Sequence, residues 1–331
     1  MASPDDLPHD GLPHDGRTPH EDLRELVVGV PALDAAHAEG VREKLSAFPG
    51  PPNPLGRLAD RLEWLAMCQK RSEPRIDRPL VALFAGAHAV SGEAATAVAQ
   101  ERVLGVTQGS APVRGIATGL GAAFKVYEFG LDAPAADIRT GPSLSDRDTA
   151  AAFAFGMEVV AEGADVIALG SLGTGAVAAA AAIVRGLYGG SADYWAKGEG
   201  EVGRNRVEDV ERAAVANRDA MGDPLSILSA FGGRDIAGLA GAILAARYQS
   251  IPIVLDGFVT CAAAAVLHAI NPDSIAHCLA GHVTGEFAQA AIIDRIGLEP
   301  LHDFGVGVGD GTGAALALTT LRAACAALET V

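Results

Sequence analysis

From Leu80 onward the chain repeats one arrangement: a short apolar run, a turn containing glycine, then a longer stretch of helical periodicity. The runs at Leu80–Ala85, Ala123–Phe129, Asp165–Leu169, Ile251–Leu255 and Ile275–Ala280 have strand length. Helical patterns cover Glu93–Val106, Pro112–Gly119, Ala176–Tyr188, Arg206–Ala220, Arg234–Gln249, Phe258–Ile270, Glu286–Ile296 and Thr312–Leu328. A further helix starts after Ser145-Asp-Arg-Asp148, a capping-box candidate. Strands that alternate with helices cannot pair as hairpins. They predict βαβ units with right-handed crossovers, and so an α/β fold whose parallel sheet carries helices on both faces.

The ends of the chain are organised differently. Residues 1–22 are rich in Pro, Asp and His, and LPHDG occurs twice in succession, which predicts a disordered, solvated tail. To Glu25 this stretch carries seven acidic residues against two arginines, −5 of the total net charge of −16. Residues 23–78 hold helical patterns near Leu33 and at Leu55–Lys70, separated by a Pro-rich linker at Phe48–Pro54 that cannot be helical. No strand pattern accompanies these helices or the last one. They predict a small helical domain made from both termini (23–78 and 301–331) beside the α/β domain at 79–300.

Composition narrows the chemistry. The 331 residues include 25 Lys+Arg against 41 Asp+Glu, which argues against a nucleic-acid phosphate backbone or an anionic membrane surface as partner. Aromatic residues make up only 5%, so the core is built from Ala, Val, Leu and Ile. No signal peptide is expected at Met1-Ala-Ser-Pro, and no apolar run approaches the ~20 residues that span a bilayer. Cys68, Cys261, Cys278 and Cys325 form no C-x-x-C pair and are expected as buried, reduced thiols in a cytoplasmic protein.

In open parallel sheets, ligands sit beyond the carboxyl ends of the strands. Four segments leave predicted strand ends for helices: residues 84–90 (FAGAHAV), 169–175 (LGSLGTG), 255–258 (LDGF) and 279–286 (LAGHVTGE). In the second, Gly170, Gly173 and Gly175 lie before a helix. Backbone N–H groups there can close on an anion, or the glycines can serve close packing alone; both readings stand. The loop is neither a Walker motif nor a dinucleotide fingerprint. Residues 305–313 (GVGVGDGTG) precede the last helix with glycine at every second position. Asp310 stands in their midst as a carboxylate for chemistry or as a helix cap. His88, His282 and Asp256 match no metal-ligand spacing, and structural hydrogen bonding is the expectation for them.

These motifs resemble the nicotinate-nucleotide–dimethylbenzimidazole phosphoribosyltransferase family. The resemblance rests on Gly232–Leu244 (GGRDIAGLAGAIL), Ile253–Phe258 (IVLDGF) and Gly309–Leu316 (GDGTGAAL). Gly141–Ser145 (GPSLS) and Gly56–Leu58 (GRL) add to it, and it runs in unbroken order over about residues 33–328. It implies an α/β domain with a small helical domain, a homodimer, and no cofactor or metal. The implied reaction transfers phosphoribosyl from nicotinate mononucleotide to a benzimidazole-type base. By position, Asp310 falls on the family's catalytic glutamate. Gly173, Thr174, Gly175 and Thr284 fall on its phosphate and ribose site, and His88, Gln100 and Val308 on its base pocket. Several ligand-facing positions depart from the family pattern. A second carboxylate is Ser171, and an Asn-Thr-Thr donor run is Ala176, Val177 and Ala178. A catalytically impaired paralogue that binds a nucleotide or aromatic base therefore stands as the alternative to an active transferase.

Overall fold

The computed structural model describes residues 17–50, 54–109, 111–307 and 309–330. Residues 1–16 of the expected tail, the middle of the Pro-rich linker and Val308 lie outside the described residues. Up to the third strand the helices are α1 (Pro19–Val28), α2 (Glu39–Ala47), α3 (Arg57–Gln69), α4 (Ala95–Thr107), α5 (Pro112–Leu120) and α6 (Asp146–Met157). The strands are β1 (Pro79–Ala85), β2 (Ala123–Glu128), β3 (Val166–Ser171), β4 (Ile253–Leu255), β5 (Cys278–His282) and β6 (Pro300–His302). After β3 come α7 (Ala176–Tyr188), α8 (Ala192–Ala196), α9 (Gly200–Ala216), α10 (Pro224–Phe231) and α11 (Gly233–Tyr248). The remaining helices are α12 (Gly257–Ile270), α13 (Gln289–Arg295) and α14 (Thr312–Leu328).

All strand pairs are parallel, in one six-stranded sheet of order β2-β1-β3-β4-β5-β6. Successive side chains of a strand point to opposite faces, and here both faces are covered. Leu80, Ala82, Phe84, Ile167, Leu169, Ile253 and Leu255 enter one core with α6, α7, α10, α11 and α12. Val81, Leu83, Ala85, Val166, Ala168 and Val254 enter the other with α3, α4, α5 and α14. Only the edge strand β2 alternates between exposed and covered residues. Exposed Lys125, on the face that also carries buried Tyr127, blunts it as a template for further pairing.

With few aromatic side chains to fill space, helices approach until backbone meets backbone. The closest pair is α6 and α11. A Cβ at Gly156 would overlap the Gly238 carbonyl, and one at Gly241 would overlap the Phe153 carbonyl. The core is filled to match: Ala262–Ala265 on α12 and Ala179–Ala181 on α7 are all fully buried.

Two expectations are corrected. First, the chain is ordered before residue 23. Thr18 and Glu21 form a reciprocal capping box with Pro19 in the first turn, His20 bonds Ser229 at 3.0 Å, and Arg24 pairs with Asp223. Second, the terminal helices do not build a core of their own. Helices α2, α3 and α14 meet, with Lys44 Nζ on the Leu328 carbonyl at 3.3 Å, but they share one core with the sheet. Helix α1 goes to the opposite face, where Leu23 and Val27 join the other core. The reason is α14 itself: its buried stripe, Ala314, Ala317, Leu318 and Leu321, sits directly on the strands, so the helices that meet it become a layer.

The glycine contact gives a test. Gly241→Ala must push α6 and α11 apart and is expected to cost about 1–3 kcal/mol in urea unfolding. Gly115→Ala, in an exposed helical position with nothing within 4 Å of the new methyl, should raise stability by about 0.5–1 kcal/mol.

Candidate active site

Strands β1 and β3 are neighbours, yet the chain leaves β1 toward β2 and β3 toward β4. Two loops therefore diverge at their carboxyl ends and open a crevice there. The loops are laced together first. Leu172 N–H donates to the Phe84 carbonyl at 2.8 Å, Thr174 N–H to Gly86 at 3.0 Å, and His88 N–H to Thr174 at 3.1 Å. Ser171 N–H donates to the Gly309 carbonyl at 2.9 Å, which brings in the C-terminal glycine loop. A Cβ on Gly257, after β4, would lie 2.6 Å from Gly309 Cα, so that loop joins as well.

Beneath the loops lie two buried carboxylate–imidazole pairs. His88 Nε2 and Asp235 Oδ1 are 2.9 Å apart, and His282 Nδ1 and Asp256 Oδ1 are 2.8 Å apart; all four side chains are at most 1% exposed. The second oxygen of Asp256 accepts from Gly313 N–H at 3.2 Å, at the start of α14. Burial pushes the Asp256 carboxyl up; His282 pulls it back, and the nearby Asp310 charge acts with burial. A Cβ on Gly173 would overlap Asp235, and one on Gly313 would overlap His282. Close packing over a polar pair is thus a sufficient reason for both glycines.

Above the loops are two adjoining cavities. The first, of about 540 Å³, has apolar walls from Val106, Leu172, Phe258 and Val259, with Thr284, Glu286 and Asp310 among its polar groups. The second, of about 680 Å³, is lined by Arg139, Arg206 and Arg212 with Gly175, Asn205 and Asp209. Arg102, Gly173 and Val177 line both. Both volumes suit a small organic ligand.

A family model described as phosphoribosyltransferase matches residues 30–331. The nicotinate-nucleotide–dimethylbenzimidazole phosphoribosyltransferase of Sinorhizobium fredii is 43% identical over 316 residues, 93% of each chain. That of Methylocella silvestris is 40% identical over 316 residues, again 93% of each chain. The crystal structure of the enzyme so named from Thermus thermophilus superposes with a TM-score of 0.81 at 28% identity, covering 89% of this chain and 96% of that one. The chain belongs to this phosphoribosyltransferase family.

In this phosphoribosyltransferase, Asp310 and Thr284 face the first cavity, Gly173 faces both, and Gly175 faces the second. One carboxylate oxygen of Asp310 accepts from Thr312 N–H at 3.1 Å and Thr312 Oγ1 at 2.6 Å, and the residue lines the apolar cavity. Thr284 is held by Gln289 through both its N–H and its hydroxyl.

Other assignments from the sequence fall elsewhere. His88 is not in a base pocket; it is buried behind the loop against Asp235. Gln100 is exposed on α4 and lines neither cavity, because a helix turns about 100° per residue and Arg102 and Val106 occupy the inward side. Thr174 is buried and lines neither cavity. Two of the three amides of the expected loop cradle are committed within the protein: Gly173 N–H donates to Ser171 Oγ at 3.2 Å, and Thr174 N–H to Gly86. The sequence reading missed Arg102, Arg139 and Arg206 in the cavity walls. An arginine on a helix carries no local signal of which way it faces.

Gly175 has a φ of +85°, and a Cβ there would overlap Ser91 Oγ and stand 3.0 Å from His88 Cβ. Gly175→Val is therefore expected to lose about 1–3 kcal/mol of stability along with any ligand affinity, which thermal melts and binding titrations on one sample would read together.

Proposed function

We propose that the two cavities form one active site that transfers phosphoribosyl from nicotinate mononucleotide to dimethylbenzimidazole, yielding α-ribazole phosphate and nicotinate. The observation that carries this reading is the carboxylate of Asp310 on the wall of an apolar cavity that opens into an arginine-lined one; the other carboxylate of that wall, Glu286, is paired with Arg206. Names of the relatives over nearly the whole chain support the substrates.

The apolar cavity takes the flat base between Val106, Leu172, Phe258 and Val259. The arginine-lined cavity takes the phosphate end of the nucleotide. The ribose then spans the opening beside Gly173. A ring nitrogen of the base attacks the anomeric carbon as the bond to the pyridinium nitrogen breaks. That electron pair stays with the pyridine ring, which leaves uncharged at nitrogen, so departure needs no general acid. The base retains a positive charge until its N–H proton is removed, and Asp310 is the acceptor we assign. Holding the two rings on either side of one carbon supplies the rest of the acceleration.

The test of Asp310 is nicotinate release from nicotinate mononucleotide and dimethylbenzimidazole. Asp310→Asn keeps an oxygen for the Thr312 cap and is expected to melt close to the parent while turnover falls about 10²–10⁴-fold. Unchanged turnover would remove Asp310 from the chemistry. A parent protein that binds both ligands but releases no nicotinate would point instead to a binding paralogue.

We also infer a cytoplasmic homodimer. Four buried free thiols support the reducing compartment. An apolar groove between α5 and α14, with Ile116, Leu120 and Ala323, supports a partner surface. Light scattering at micromolar concentration should give about twice the 33.6 kDa chain mass, and a monomer would count against it.

A further inference from the structure

We propose that Arg102 holds the 5′-phosphate of the substrate nucleotide, taking over the task expected of the loop amides; this rests on the nucleotide reading above. Three observations meet at this residue. Arg102 lines both cavities, and so stands where the apolar and the arginine-lined spaces join. One of its terminal nitrogens donates to the Gly173 carbonyl at 3.0 Å, which sets the guanidinium against the glycine loop. No carboxylate among the described residues lies within ion-pair distance of it. Arg139 is answered by Asp137 and Asp209, and Arg206 by Glu286; Arg212 lines only the second cavity, so Arg102 alone combines the junction with a guanidinium that no carboxylate among the described residues answers.

The loop itself makes the case stronger. A phosphate cradle needs N–H groups without partners, and two of the three expected here, those of Gly173 and Thr174, are already committed. The Gly173 carbonyl, which would repel an anion, is the group that Arg102 bonds. Arg102 covers that carbonyl and presents the rest of its planar set of donors, a match for two phosphate oxygens at once.

A nicotinate nucleotide has a second anion, the ring carboxylate, and the experiment must separate the two. Isothermal titration would compare nicotinate mononucleotide, nicotinamide mononucleotide and nicotinate riboside on parent, Arg102→Met and Arg102→Lys. We expect Arg102→Met to weaken both mononucleotides about 10–100-fold, to leave the riboside unchanged, and to melt like the parent; Arg102→Lys should recover part of the loss. Equal weakening of all three ligands, or of none, would overturn the proposal. Weakening confined to the two carboxylated ligands would also overturn it and assign Arg102 to the ring. Ribose 5-phosphate keeps this test apart from the nucleotide reading. Arg102-dependent binding of it, with no nucleotide binding, would sustain the anion site and sink the nucleotide reading. A parent that binds none of the four would sink both.

Discussion

Two buried carboxylate–imidazole pairs decide where the backbone can run at the carboxyl end of the sheet. Asp235 with His88, and Asp256 with His282, are sealed from water and stand 2.9 and 2.8 Å apart. Removing one partner of such a pair strands the other in a medium that cannot solvate it, at a cost of about 3–5 kcal/mol. Each pair has a glycine laid directly on it, Gly173 in the loop after β3 and Gly313 in the first turn of α14, where no side chain would fit. The second pair also receives the Gly313 N–H, so it fixes the start of α14 and, two residues earlier, the Thr312-bonded carboxylate of Asp310. The site's floor is thus polar and rigid although its walls are apolar and arginine-rich.

The sheet order explains why those walls differ. Because the chain diverges after β1 and β3, the crevice between them receives α4 from one side and α7, with α9 beyond it, from the other. Helices packed on the sheet bring Val106, Phe258 and Val259 to the first cavity. Helix α9, with an outward charged face, brings Arg206 and Arg212 to the second. The Arg206–Glu286 pair at 3.0 Å ties that helix to the segment after β5, so the two cavities share a wall from both halves of the chain.

Periodicity made the architecture legible to the residue in places: the helices at Ala176–Tyr188 and Thr312–Leu328 have the bounds the pattern assigns them. Strand β6 was not legible, because Pro300–His302 is three residues long on a sheet edge and has no apolar run. Helix α10 was missed although Asp223 caps Ser226 N–H and Pro224 opens the first turn, since its apolar residues lack a polar face to mark a period. The site was legible by loop and not by side chain. Strand-end position located the segments carrying His88, Gly173, Thr284 and Asp310. Whether a residue there faces ligand or core depends on partners far along the chain, such as Asp235 for His88, and those no local pattern contains.

The change in the glycine loop has its own logic. Ser171 turns its hydroxyl oxygen on Gly173 N–H, which stabilises the loop and withdraws an amide from ligands. Amides on a rigid loop bind an anion without ordering any side chain, whereas a free arginine loses rotamer freedom worth up to about 2 kcal/mol when it is immobilised. Arg102 is not free in that sense. Its bond to the Gly173 carbonyl orders the guanidinium before any ligand arrives, at the same residue whose amide was withdrawn. On this account the loop still organises anion recognition, but through its carbonyl and a borrowed cation. A site that recognises charge through one side chain is also easier to retune than one written in backbone, because a single substitution then changes which ligand it holds.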